Sequence, residues 1–206
     1  MLNLGNFWAG VRSWWAHCVA YTSPFWQDVL RQRETIFEHS AAVVCLYSAH
    51  GKMLDVGTGS GRLPLLLAQL APEITCIGVD LKPILFKKAQ QLCIEQRCGE
   101  RVSFMCADAL ALPFTDLSFD WAVCVASIHQ WRDRKKGITE MYRVLKEGGV
   151  GVILVGTEIM QLFDFFRRNT GNDRDIEAAF QNAGFRDIRA THRNRFLQVI
   201  GRKVVT

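Results

Sequence analysis

The sequence predicts an α/β protein with a doubly wound, seven-stranded, mostly parallel sheet, its last strand antiparallel, and an N-terminal helical extension. Three observations predict it. From residue 51 onward, short apolar runs alternate with segments of helical spacing, the pattern of a parallel sheet covered by helices on both faces. The runs are apolar along nearly their whole length, as strands buried on both sides are. A glycine-rich turn, Gly57 to Gly61, follows the first run directly.

The elements follow in order. Lys52 to Val56 is strand one, Leu63 to Leu70 a helix ending near Pro72, and Ile74 to Val79 strand two. Pro83 opens a helix that runs to about Arg97, since proline suits a first helical position. Val102 to Cys106 and Trp121 to Ala126 are strands three and four. Gly137 to Leu145 has helical spacing, Gly148-Gly149 breaks it, and Val150 to Val155 is strand five. Ile159, Leu162, Phe163 and Phe166 mark one helix of the tail. Ile176, Ala179, Phe180 and Ala183 mark another, opened by Asp173 and stopped by Gly184. Arg186 to His192 and Phe196 to Val204 close the sheet as a hairpin turning at His192 to Arg195.

Residues 1–50 show helical spacing and no strand. Phe7, Trp8, Val11, Trp14, Trp15 and Cys18 form one stripe, and Ser23-Pro24 starts a further helix. The expected organisation is an extension or lid over 1–50 and a ligand-binding domain over 51–206, compact together.

Composition excludes several classes. With 206 residues, 49% hydrophobic and 22% charged, the chain is neither disordered nor collagen-like nor a coiled coil. Arg12 is the first charge, so no secretory leader is expected. The longest apolar stretches, Ser40 to Ala49 and Val150 to Thr157, are shorter than the roughly 18–20 residues that span a bilayer. No membrane span and a cytoplasmic location are expected. The seven cysteines include no Cys-x-x-Cys pair, so no metal site is expected, and Cys76, Cys106 and Cys124 read as small hydrophobes in apolar runs. Residues 130–206 carry fifteen basic against nine acidic side chains, but these are spread out, which reads as a solvated face rather than a nucleic-acid arm.

The chemistry concentrates at Met53-Leu54-Asp55-Val56-Gly57-Thr58-Gly59-Ser60-Gly61. Glycines after a first strand let a ligand approach the backbone, and the next helix turns its free amides toward it. The spacing is Gly-x-Gly-x-Gly, not the Gly-x-Gly-x-x-Gly of dinucleotide sites. Asp55 stands inside the motif, where a carboxylate repels a pyrophosphate and attracts an ammonium or sulfonium. Asp80 ends strand two, positioned to accept the hydroxyls of a ribose.

Together with Asp108-Ala109-Leu110-Ala111-Leu112-Pro113-Phe114, these features resemble class I S-adenosylmethionine-dependent methyltransferases of Rossmann-like fold. The closer likeness is to the group that includes the ubiquinone and menaquinone methyltransferases. Phe119-Asp120, Ala126-Ser127-Ile128-His129-Gln130-Trp131 and Glu140-Met141-Tyr142-Arg143-Val144-Leu145-Lys146-Glu147-Gly148-Gly149 extend the resemblance over residues 50–156. It implies S-adenosyl-L-methionine as cofactor and a small, apolar or aromatic methyl acceptor. It also implies that Asp55, Gly57, Thr58, Gly59 and Gly61 hold the amino acid end, Asp80 the ribose, and Leu81 the adenine face. Asp108 would accept from the adenine amino group, the Ala109 amide would meet a ring nitrogen, and Ala126 would lie near the sulfonium. His129, after strand four, is the candidate general base. Lys146-Glu147-Gly148-Gly149 departs from the usual Lys-Pro-Gly-Gly only at the turn.

The N-terminal aromatics, with Tyr21, Phe25 and Trp26, fit a lid over the acceptor, a stripe of core, or a homodimer interface. Competing functions are a nicotinamide oxidoreductase, an RNA or protein methyltransferase using the basic C-terminal third, and a non-catalytic cofactor-binding protein. The glycine spacing, Asp55 and the absence of a Tyr-x-x-x-Lys pair speak against the first. Ala126-Ser127-Ile128-His129, standing where amino-methylating enzymes carry Asn/Asp-Pro-Pro-Tyr/Phe, speaks against the second.

Overall fold

Strands and helices alternate as the spacing predicts. The computed structural model describes residues 24–47, 50–95, 97–156, 173–193 and 196–204. Helix α1 (Pro24–Tyr47) leads into β1 (His50–Val56), α2 (Arg62–Leu70), β2 (Glu73–Asp80), α3 (Pro83–Glu95) and β3 (Val102–Cys106). Then come β4 (Phe119–Val125), a 3₁₀ turn over Ile128–Gln130, α4 (Arg134–Val144), β5 (Leu145–Gly156), α5 (Asp173–Ala183), β6 (Arg186–Arg193) and β7 (Phe196–Arg202). Met1–Thr35 forms one compact unit, of which residues 24–35 are described and helical; Ile36–Thr206 forms a second and carries the sheet. The expected helix at 159–166 and the aromatics from Phe7 to Tyr21 lie outside the described residues.

All seven strands join one sheet in the order β3-β2-β1-β4-β5-β7-β6. The pairings from β3 through β5 are parallel, while β7 runs antiparallel to both β5 and β6. The last strand is the reversed one, as the sequence predicts. Burial rises toward the middle: Met53 to Val56 and Trp121 to Val125 are buried throughout, whereas edge strand β3 buries only Val102. One face is covered by the second half of α1 with α2 and α3, through Ile36, Val43, Val44, Leu63, Leu67 and Cys93. The other is covered by α4 and α5, through Ile138, Met141, Val144, Ile176 and Phe180. The core therefore has two layers separated by the sheet, the doubly wound arrangement.

Two boundaries differ from expectation for local reasons. Residues from Ile36 in α1 belong to the sheet-bearing unit, because Ile36, Ala41 and Val44 are buried against it and His39 Nε2 donates to Gln198 Oε1 at 2.8 Å. Strand β5 begins at Leu145 instead of Val150: Leu145 pairs with Phe119, and the register shifts before Trp121 pairs with Val150.

The loop after β3 is tied down by one arginine. Arg143 of α4 donates from Nε and Nη2 to Glu140, from Nη1 to Phe114 O and Asp116 Oδ1, and from Nη2 to Leu112 O at 2.9 Å. Glu140 Oε2 in turn accepts the Leu112 amide at 2.8 Å, and its hydrogen bonds from Arg143 hold its carboxyl below the usual carboxylate range. Removing the guanidinium orphans several of these groups together. Arg143→Met is expected to lower stability by about 1–3 kcal/mol in a denaturant titration. A loss within about 0.5 kcal/mol, the range of ordinary surface substitutions, would mean the loop does not depend on this clamp.

Candidate functional site

The chain leaves β1 toward β2 and leaves β4 toward β5, so their carboxyl ends part at the sheet's topological switch point, where such folds form a crevice. Asp55, next to the end of β1, is 2% exposed and lies in register with Gly78 of β2 and Val123 of β4. Burial raises its pKa from 3.8 to about 7; the nearby Thr58 hydroxyl offsets part of the rise, and the Asp80 charge adds to it. Neither Asp55 Oδ2 nor Thr58 Oγ1 closes a hydrogen bond among the described residues. Buried acceptors are normally satisfied, so Asp55 Oδ2 is open to a further donor.

The glycine turn is fastened from two sides. Gly57 and Thr58 both donate their amides to Val79 O, at 2.8 and 2.9 Å. Gly59 N donates to Asp80 Oδ2 at 2.9 Å, while the Lys82 amide donates to Oδ1 at 3.0 Å. Asp80 therefore braces the turn as well as facing the crevice edge. A carboxylate offers about four lone-pair sites, which leaves acceptor capacity for a diol. The turn needs glycine at Gly57, where φ is +79° and a Cβ would overlap the Ser127 hydroxyl. Across from Asp55, Gly78 is required by close approach, since a Cβ there would press on Thr58 Oγ1 and the Phe104 ring.

Leu81, 63% exposed, follows Asp80 and adjoins exposed Ile84 and Leu85 in sequence. Asp108 caps its own turn by accepting the Leu110 amide on Oδ1 at 2.9 Å, and its Oδ2 pairs with Arg132 at 3.1 Å. Ala109 is half-buried, and the Ala107 amide on Asp80 O, at 3.1 Å, leans this loop over β2.

At the end of β4, Ala126 has φ +52° and is 7% exposed, a left-handed conformation rare for a residue with a Cβ. Its amide donates to Leu154 O at 2.8 Å, which holds the strained turn. Ser127 donates its hydroxyl to Val56 O at 2.9 Å and so ties the end of β4 to the end of β1. His129 follows in the 3₁₀ turn, 4% exposed, with Nε2 3.5 Å from Gln130 Nε2.

Two cysteines behave as the apolar runs imply: Cys76 and Cys124 are buried, and burial raises the Cys124 thiol to about 12. Cys106 does not. It lies at the end of edge strand β3, paired with Asp80 of β2 on one side only, and is exposed. Among the described residues no three His, Cys, Asp or Glu side chains gather as a metal site.

The methyltransferase domain family matches residues 54–153, spanning β1 to β5. Over these residues the chain resembles class I S-adenosylmethionine-dependent methyltransferases. It is similar to the demethylmenaquinone methyltransferase of Thermus thermophilus, 39% identical over 114 residues, covering 55% of this chain and 51% of that one. It is also similar to the ubiquinone/menaquinone biosynthesis C-methyltransferase UbiE of a Geobacter species, 38% identical over 105 residues, covering 50% and 45%. The chain thus spans about half the length of these curated relatives in matched sequence. Phosphoethanolamine N-methyltransferase 2 from Haemonchus contortus, solved with S-adenosyl-L-methionine, superposes with a TM-score of 0.67 at 20% identity, covering 76% of this chain and 49% of that one. That likeness is one of fold.

Within the matched residues, Asp55, Gly57, Thr58, Gly59, Gly61, Asp80, Leu81, Asp108, Ala109 and Ala126 all fall in or just beyond the carboxyl ends of the first four strands. Hydrogen bonds link Gly57, Thr58, Gly59 and Asp80 into one unit with β2. Sequence reasoning missed Ser127 and Arg132. Ser127 carried a signal, as a polar residue inside the apolar run that ends β4; Arg132 carried none, because its partner lies 24 residues earlier.

The two glycines of the turn are expected to separate experimentally. Gly57→Ala meets Ser127 and strained backbone together and should unfold the domain or lower its melting temperature sharply. At Gly59, where φ is +53° and a Cβ meets nothing within 4 Å, alanine should cost only the backbone strain of about 1–2 kcal/mol. Equal losses in thermal melts would show that crowding at Ser127 does not govern the turn.

Proposed function

We propose that this chain binds S-adenosyl-L-methionine in the crevice between β1 and β4 and transfers its methyl group to a small aromatic acceptor. The observation that carries the reading is the buried, unsatisfied Asp55 carboxyl beside a fastened glycine turn. Its open oxygen suits the ammonium of the cofactor's amino acid end. Asp80 has the acceptor capacity for the ribose diol, exposed Leu81 gives the adenine an apolar face, and Asp108 with the Ala109 amide reads the adenine edge.

The bound sulfonium supplies an electrophilic methyl group on a good leaving group. What remains for the protein is alignment and exclusion of water. The strained turn at Ala126, held by Leu154, sets the wall beside which the acceptor lies. His129, buried three residues further on, is the candidate to take a hydroxyl proton from a phenol or quinol, which would make the ring carbon nucleophilic. Names of the relatives support this acceptor class: they are quinone methyltransferases. A nucleic-acid acceptor is disfavoured because Arg143, Lys146 and Lys203 of the basic C-terminal third are engaged in internal hydrogen bonds. The buried thiols Cys76, Cys93, Cys98 and Cys124 support a reducing, cytoplasmic location.

Calorimetric titration with S-adenosyl-L-methionine, S-adenosyl-L-homocysteine and NAD tests the reading. The first two are expected to bind, and Asp80→Ala should weaken both by at least about tenfold, because it removes the ribose acceptor and unfastens Gly59 together. Binding of NAD alone, or of none of the three, would overturn the proposal.

A further inference from the structure

Asp108 and Arg132 sit on loops that follow β3 and β4, yet β2 and β1 lie between those strands. Neighbouring strands are about 4.8 Å apart, so the two loops spring from points about 14 Å distant. Their side chains nevertheless meet, Arg132 Nη2 to Asp108 Oδ2 at 3.1 Å. Both loops must therefore lean inward over the ends of β1 and β2, the ground occupied by the glycine turn and Asp80. The β3 loop shows this lean in the Ala107 amide bonded to Asp80 O. From the other side, Asp133 accepts the Lys136 amide at 2.9 Å as the N-cap of α4, which fixes the chain immediately after Arg132.

From this geometry we infer that Arg132 is a positioning residue that straps the mouth of the cofactor crevice. The inference rests on the proposed cofactor site. Arg132 has two effects at once: it holds the Asp108 carboxylate over the crevice, and it forms a bar across it. The bar is weak by construction, with the arginine side chain 79% exposed and the aspartate 30%, and exposed pairs of this kind contribute little and are screened by salt. Such a strap opens readily to admit a nucleoside and closes again behind it, so its effect falls on the rate of release more than on the fold. Asp108 Oδ1 is already engaged by the Leu110 amide, and Oδ2 is the oxygen that meets Arg132.

Stopped-flow measurement of S-adenosyl-L-homocysteine release from the full chain tests this, since that ligand is a zwitterion with little net charge for salt to act upon. Arg132→Ala should speed release about two- to fivefold, the range expected of an exposed ion pair. Arg132→Lys, which keeps the charge, should restore most of the parent rate. Raising ionic strength from low to about 0.5 M, where the Debye length is only a few ångströms, should speed release from the parent and leave Arg132→Ala unchanged. Equal release rates for parent and Arg132→Ala, or the same salt response in both, would overturn the strap while leaving the cofactor site standing. A parent chain that binds no S-adenosyl-L-homocysteine at all would remove the site, and the strap with it.

Discussion

A carboxyl group buried at the end of the first strand constrains everything around it. Asp55 is 2% exposed, flanked by strands on both sides and raised to a pKa of about 7 chiefly by burial. An isolated ionised carboxylate in such a place costs several kcal/mol even after relaxation, and the described residues offer no hydrogen bond to its second oxygen. The fold tolerates this because the surrounding structure is over-determined. β1 is paired on both sides by parallel strands, and the turn beyond it is pinned to Val79 by two amides. Without that rigidity the turn would relax and give the carboxyl to water.

The same constraint explains which glycines surround the site. Gly78 keeps the neighbouring strand bare so that Thr58 and Phe104 can approach, and Gly57 makes room for Ser127, whose hydroxyl bonds back to Val56 O. A second tier of contacts supports the loops from below. Arg143 and Glu140 hold the Leu112–Asp116 segment, and Asp120 accepts both the Lys52 amide and the Lys146 ammonium at the opposite end of β4. Several residues that stand out as motif in the sequence, Glu140, Arg143 and Asp120 among them, thus act as fasteners.

Much of this was legible in the chain, and the reasons are local. The succession of strands one to five along the chain follows from the apolar runs Lys52 to Val56, Ile74 to Val79, Val102 to Cys106, Trp121 to Ala126 and Val150 to Val155, and the turn from Gly57 to Gly61 announces itself. Asp55 and Asp80 were legible because a charged residue at the end of an apolar run has few structural reasons to be there. The rest depends on contacts distant in sequence. Nothing local distinguishes Arg132 from its neighbours Arg134, Lys135 and Lys136 until the β3 loop is folded toward it. The left-handed turn at Ala126 is equally hidden, since alanine does not favour that conformation and the bonds that hold it, to Leu154 O and from Ser127 to Val56 O, are distant in sequence. The start of β5 at Leu145 was missed because Gly148-Gly149 looks like a break and is accommodated as a register shift.

If Asp55 awaits a cation, binding must ionise it. A ligand ammonium favours the charged carboxylate and so lowers its pKa, which means that protons leave on binding and that affinity rises as pH increases through about 7. The direct measurement is titration calorimetry of S-adenosyl-L-homocysteine at pH 7 in buffers of different ionisation enthalpy, for the parent chain and Asp55→Asn. Release of about half a proton or more by the parent, as a group half-ionised at its pKa requires, and of much less by the variant, is the predicted result. Binding with no proton released by the parent would contradict the account, because Asp55 would then be neutral in the complex or already charged before it.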